Sequence, residues 1–481
     1  MRGRGTTPGG SPGGVSAPPP PPPPARGSVV GGGASVVTVP VGGVNFSRLD
    51  PLAFKVLLES AQPGTTAITG EPQCTVATYS VKYNTVGGAG EATDASAAII
   101  VPSGAGPSCS GSRPVLLYAH GTNTDKTYDM TRLADNTEAR LVAAMYAAQG
   151  FIVVAPNYAG YAGSSLGYFP YLDAAQQSAD MIDALRAARA SFAAIGAADS
   201  GKLLVTGYSQ GGHVALATLR AMQALGTAEF KPAAAAGLSG PYALIQFGDS
   251  VFGGTPRQGV TAFLPLLIAG GQHAGAGIYG AASEVYEAPY AAGIEAGTIK
   301  SLPVALFARD SLPQAAGFGQ YFGDDHLIKS SYRAAYLADL AAHPCDLNPA
   351  APLDCAPQHA LRRLFRKNDL RTFAPAAPLM LCGGNADPTV PYQNTASALA
   401  YFRANGAAGA LTEVDLDTIP GPADPYRARK LDFLAAKAAL RATQNGGGAA
   451  DAAVEANYHA GLVAPFCLAA ARDFFQAVLA R

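Results

Sequence analysis

The stretch Gly207-Tyr208-Ser209-Gln210-Gly211 sets a serine between two glycines at a spacing that suits nucleophilic acyl chemistry. The small flanking residues permit a strained turn that lifts the hydroxyl clear of the backbone. The pattern alone is weak. With 56 glycines in 481 residues, about 0.4 matches are expected by chance, and a second one stands at Gly163-Ser164-Ser165-Leu166-Gly167. Context separates the two, because the turn needs a strand directly before it and a helix directly after it. Lys202-Leu203-Leu204-Val205-Thr206 reads as the strand, and Gly211-Gly212-His213-Val214-Ala215-Leu216-Ala217 opens a helix. Ser209 is therefore expected to be the nucleophile. Ser165 lies well past its strand, and Pro170 interrupts what would be its helix.

A serine nucleophile needs a base, an acid to orient that base, and donors for the oxyanion. In chain order the acid and then the base follow the serine. The segment Cys382-Gly383-Gly384-Asn385-Ala386-Asp387-Pro388-Thr389-Val390-Pro391 puts a carboxylate on a Gly-rich loop just past a strand, so Asp387 is the expected acid. His120, His213, His273, His326, His343 and His359 all precede it, which leaves His459 as the base. The expected oxyanion donors are the N–H of Gln210 and, from the loop His120-Gly121-Thr122-Asn123, that of Thr122, with Gly121 as the alternative. His120 is assigned to shaping this loop. No C-x-x-C pair occurs, so neither a zinc ribbon nor a thioredoxin-like site is expected, and no metal is assigned.

The elements that must position these residues follow from periodicity. Short apolar runs at Pro114–Ala119, Phe151–Pro156, Lys202–Thr206 and Pro378–Cys382 suit strands buried on both faces of a parallel sheet. Leu411–Leu416 is a partly alternating candidate strand. Helical patterns run over Thr131–Gln149, Asp173–Ala194 and about Ala423–Ala442, and Gly446-Gly447-Gly448 reads as a hinge or loose loop. This alternation is that of an α/β fold with a mostly parallel sheet flanked by helices. The expected organisation is a disordered Gly/Pro-rich tail at 1–34 and a core at 35–240 and 375–481. Between the two core segments, 241–374 forms a helical cap over the strand ends where ligands bind in such sheets.

Composition narrows the function classes. Hydrophobic residues make up 48% of the chain, enough for a large core, and Lys+Arg 33 against Asp+Glu 34 gives a net charge of -1, so no excess charge attracts nucleic acid. The basic start Met1-Arg2-Gly3-Arg4 is not followed by the roughly 7–15 apolar residues of a secretory signal, and no run of roughly 18 apolar residues predicts a membrane span. Six cysteines without metal spacing point to disulfides and an oxidising compartment, hence a secreted, periplasmic or cell-surface protein. Cys382 stands just before Asp387 and Cys467 just after His459; joining them would clamp the acid and base loops. Cys345–Cys355 would staple a cap loop, and Cys74–Cys109 is the remaining pair. The chain is expected to be a monomer.

Taken together, Leu117-Tyr118-Ala119-His120-Gly121-Thr122, Gly207–His213, Cys382–Pro391 and Tyr458-His459 followed by Val463-Ala464-Pro465-Phe466-Cys467 resemble the secretory lipase and esterase family of α/β-hydrolases over roughly residues 45–481. The likeness is to the bacterial branch with secreted esterases of plant-associated bacteria and, more distantly, to fungal secretory lipases with a helical cap. It implies an acyl-enzyme mechanism without cofactor, with Ser209, Asp387 and His459 as the triad and a cap that shapes the pocket. The missing signal and the Pro-rich tail depart from the pattern. The expected activity is hydrolysis of an apolar or aromatic ester, with triglycerides, short-chain and aryl esters, feruloyl esters and polyesters all open. The rivals are a serine peptidase on the same fold and a non-catalytic binding protein.

Overall fold

Val115, Leu117 and Ala119 belong to one hydrophobic core, while Leu116 and Tyr118, from the same strand, belong to a second. This alternation is the signature of a strand covered on both faces, and it organises the molecule into three layers. The computed structural model describes residues 24–255, 257–288, 290–291, 322, 326–444 and 447–481. Eleven strands occur among them: β1 (Ser35–Val37), β2 (Val39–Val41), β3 (Val44–Phe46), β4 (Thr75–Val86), β5 (Ala92–Ser103), β6 (Arg113–Ala119), β7 (Ile152–Pro156), β8 (Asp199–Tyr208), β9 (Pro232–Leu238), β10 (Leu379–Gly383) and β11 (Leu411–Asp415). Nine form one sheet in the order β1-β4-β5-β7-β6-β8-β9-β10-β11. Every pairing from β7 through β11 is parallel, and the β1, β4 and β5 pairings are antiparallel. This is the α/β-hydrolase arrangement expected from the sequence.

The helices, numbered among the described residues, are α1 (Pro51–Ala61), α2 (Thr65–Thr69), α3 (Thr137–Met145), α4 (Ala174–Ile195), α5 (Gln210–Leu225), α6 (Leu244–Gly253), α7 (Val260–His273), α8 (Ser330–Ala342), α9 (Ala360–Asn368), α10 (Gln393–Ala404), α11 (Arg427–Ala442), α12 (Gly447–Asn457) and α13 (Ala464–Leu479). Helices α4 and α5 cover one sheet face, and α3 and α13 cover the other. Helix α4 starts where the Asp173 carboxylate accepts from the Ala175 and Gln176 N–H groups and ends at Gly196 in the left-handed region.

Several elements differ from the sequence reading. The pattern over Thr131–Gln149 becomes helix only from Thr137, because Asn136 caps its first turn through the Ala139 N–H. Gly447 and Gly448 open α12 instead of forming a loose loop, and Gly446 lies outside the described residues. Of the expected tail, residues 1–23 lie outside the described residues. Residues 24–34 include a stretch bonded to β4: Gly27 donates to Asn84 O and Val30 to Lys82 O, and Arg26 pairs with Asp183 at 2.9 Å. The run Gly447–Leu479 is by length and composition apolar enough to cross a membrane, with 67% of its most apolar window buried in the fold. Asp451, Glu455, Arg472 and Asp473 interrupt it in sequence, and its apolar face packs on the sheet.

The segment between β9 and β10 holds α6 to α9 among the described residues and no strand. Its charged centre is Arg362, fully buried, bonded to Asp249 on α6 at 2.9 Å and Asp339 on α8 at 2.8 Å. Disulfides join Cys74 to Cys109, Cys345 to Cys355 and Cys382 to Cys467. The third spans 85 residues of sequence, and closing a loop of that size restricts the unfolded chain most. The Cys382→Ser/Cys467→Ser double variant is therefore expected to lose about 2–5 kcal/mol of stability, read as a lowered denaturant midpoint; an unchanged midpoint would contradict this.

Candidate active site

Strand β8 runs straight into α5, and the residue between them, Ser209, has φ 58 and ψ -122. A non-glycine residue in that region is strained and is held there by close backbone contact on both sides. A Cβ on Gly207 would lie 2.5 Å from Ala119 O, one on Gly211 1.9 Å from Ala119 O, and one on Gly212 2.8 Å from Leu238 O. These glycines let the turn wedge between β6 and β9, and the Ser209 N–H donates to Leu238 O at 2.8 Å. Ser165, by contrast, sits in an exposed loop within 3.3 Å of Thr93 Oγ1.

Ser209 Oγ lies 2.8 Å from His459 Nε2, and His459 Nδ1 lies 2.7 Å from Asp387 Oδ2. The structure thus brings together the three residues singled out from chain order. The Asp387 side chain is fully buried, whereas His459 keeps 11% exposure. Three further donors hold the carboxylate: Ser239 Oγ at 2.8 Å, Thr389 N–H at 2.9 Å and Val390 N–H at 3.0 Å. His459 rides on a π-helical turn, Tyr458–Val463, between α12 and α13, a local irregularity that is frequent at functional sites. Tyr208 O–H donates to the His459 carbonyl, and Tyr458 O–H donates to Asp417, which also accepts from the Ala386 N–H at 3.1 Å. The acid and base loops are thereby joined by hydrogen bonds as well as by the disulfide.

The loop after β6 lies against this turn. The Gly121 N–H is already engaged, donating to Glu138 at 2.8 Å, so of the two donors considered on this loop only Thr122 keeps a backbone N–H without an acceptor among the described residues. Gln210 is the first residue of α5, where an amide has no intrahelical acceptor. His120 is buried, with Nδ1 2.7 Å from Gly121 O and Nε2 3.2 Å from Asn157 O; it props the loop from behind. His213 is buried on the far side of α5 with Nε2 2.8 Å from Asn368 O. Among the described residues, no group of three or more His, Cys, Asp or Glu side chains could hold a metal ion.

Ser209 and Gln210 open onto a pocket beneath α6 and α7. Its walls are Leu244, Phe247 and Val251 from α6, Phe263 and Leu267 from α7, and Phe365 from α9. Among the described residues, no charged one lines it. Sequence reasoning missed Ser239, Tyr208 and these wall residues. Ser239 carried one signal, its place directly after an apolar strand, but that strand is an alanine run and was not recognised.

Two expectations follow. Ser239→Ala removes one donor to Asp387 and Tyr208→Phe one to the His459 backbone; each is expected to lower kcat/KM about 2–10-fold, the worth of one hydrogen bond, and unaltered kinetics in both would show that these bonds do not position the site. Burial pushes the His213 imidazole down to about 4. The unfolded chain then binds an extra proton between about pH 4 and about 6.5, so wild-type stability falls as pH drops through that window. His213→Gln is expected to flatten that slope in unfolding titrations at pH 4 to 7, and an equal slope would contradict it.

The comparisons with known proteins agree with this arrangement. The Prolyl oligopeptidase family model matches residues 137–235, the stretch from α3 through the Ser209 turn into β9. No curated protein matches the chain. Among solved structures, the rice cell wall degrading esterase LipA from Xanthomonas oryzae is 25% identical with a TM-score of 0.70, covering 94% of this chain and 98% of that one. A putative hydrolase from Legionella pneumophila shares the fold at 19% identity and a TM-score of 0.66, covering 94% and 98%. Candida antarctica lipase A shares it at 13% identity and a TM-score of 0.50, covering 81% and 77%. The chain is a hydrolase of the α/β-hydrolase superfamily, similar to the secretory lipases and esterases.

Proposed function

We propose that this chain hydrolyses carboxylic esters through an acyl-enzyme, with Ser209 as nucleophile, His459 as general base and Asp387 as the acid that orients it. The observation that carries this reading is the continuous line from Ser209 Oγ through His459 to Asp387, at 2.8 and 2.7 Å, beside an apolar pocket. His459 Nε2 takes the serine proton as Oγ attacks the ester carbonyl, and the N–H groups of Gln210 and Thr122 receive the oxyanion. His459 then protonates the departing alcohol, and water releases the acid by the same route in reverse. Residues 241–374 act as a cap whose α6 and α7 form the wall of the acyl site. Three disulfides suit work in an oxidising compartment outside the cytosol.

A peptidase is the second reading, favoured by the Prolyl oligopeptidase match. The pocket speaks for the ester: it offers an apolar surface and, among the described residues, no charged one to hold a peptide terminus. A series of p-nitrophenyl esters of increasing acyl length, set against p-nitroanilides, decides the matter. Esters are expected to turn over and anilides not, and Ser209→Ala is expected to lower kcat by about 10⁴-fold or more. Turnover of anilides alone would establish the peptidase; turnover that survives Ser209→Ala would overturn the assignment of the nucleophile.

A further inference from the structure

On the loop after β6, the Thr122 hydroxyl meets a single partner among the described residues. Thr122 Oγ1 lies 2.9 Å from Tyr171 Oη, and among the described residues neither hydroxyl has another side-chain partner. A phenol is the more acidic O–H, and a threonine oxygen can accept while it still donates. With Tyr171 as the donor, the Thr122 O–H is left to donate to a bound ligand. Burial pushes the Tyr171 phenol well above its usual range, so it stays a protonated donor at neutral pH. Tyr171 also lines the same pocket as Ser209 and Gln210. The backbone of the loop lies directly over the nucleophile turn, since a Cβ on Gly211 would come within 2.8 Å of His120 O.

The loop is held in place from several directions. Tyr158 O–H donates to His120 O at 3.0 Å, Tyr161 O–H donates to Asn123 O, and Glu138 binds the Gly121 N–H. A donor fixed before the reaction begins stabilises developing charge at little reorganisation cost. We propose that the Thr122 hydroxyl is a third oxyanion donor, beside the N–H groups of Gln210 and Thr122, and that Tyr171 is the positioning residue that turns it toward the reacting carbonyl. The inference rests on Ser209 being the nucleophile. As the Ser209 Oγ–carbon bond forms, the carbonyl π pair moves onto oxygen, which accepts the Thr122 O–H without taking its proton. When the intermediate collapses, the pair returns, the bond to the alcohol oxygen breaks, and the proton held by His459 goes to that oxygen.

Three variants of the full chain test this with a p-nitrophenyl ester and with a trifluoromethyl ketone, which forms a tetrahedral adduct. Thr122→Val keeps shape and N–H but lacks the O–H, and is expected to lower kcat about 10²-fold while KM stays within about twofold and ketone affinity falls by the same factor as kcat. Thr122→Ser, which supplies the O–H again, is expected to recover most of kcat. Tyr171→Phe is expected to fall between them, with circular dichroism of all three matching wild type. Equal losses in Thr122→Val and Thr122→Ser, or an unchanged kcat in Thr122→Val, would overturn the proposal while leaving Ser209 in its role. A wild-type chain that turns over no ester would overturn both.

Discussion

The contact on which the rest of the site depends is the one between the Ser209 turn and the strands on either side of it. Ser209 is held at positive φ where β6 and β9 close on the turn through backbone atoms, with no side chain between. Gly207, Gly211 and Gly212 are the residues that make this possible. Their absent side chains bring Ala119 O and Leu238 O against the turn, and the loop after β6 comes along with β6. The nucleophile and the groups that would receive the oxyanion are therefore positioned by one and the same approach of main chains. Strain of this kind costs on the order of 1–3 kcal/mol and persists because two buried cores clamp the sheet from both faces.

The acid and base depend on a second set of restraints. Asp387 and His459 lie 72 residues apart in sequence, on loops that share no strand pairing. What joins them is the Cys382–Cys467 bridge, the Asp417–Tyr458–Ala386 hydrogen bonds and the π turn. That turn inserts a wider helical step at His459, in a helical run whose apolar face packs on the sheet.

Much of this was legible in the sequence. The four apolar runs appear as β6, β7, β8 and β10, and the order of serine, acid and histidine singles out the three side chains that meet. The unread parts have physical reasons. Strand β9, Pro-Ala-Ala-Ala-Ala-Gly-Leu, is composed of the best helix former and becomes strand only because neighbours on both edges and cores on both faces demand it. Nothing local marks it as a strand, so Ser239, the residue just past its end, goes unmarked as part of the site. That the Gly121 N–H is spent on Glu138 could not be read either, since the contact is set by tertiary placement and not by the loop's own residues. The start of the chain read as tail up to residue 34, because nothing local marks Arg26 as the partner of a buried aspartate on α4.

The buried Arg362, with Asp249 and Asp339, sits apart from all of this. It ties together helices that carry the pocket wall and touches neither the nucleophile turn nor the acid and base loops. Most of the pocket wall thus lies on a different stretch of chain from Ser209, Asp387 and His459, although Tyr171, Leu172, Thr389 and Val390 also line it. Drift in α6, α7 and α9 can remodel the proposed acyl site over generations, with Arg362 keeping α6, α8 and α9 together while their faces change. Such a molecule is free to diversify in diet while its reaction stays the same.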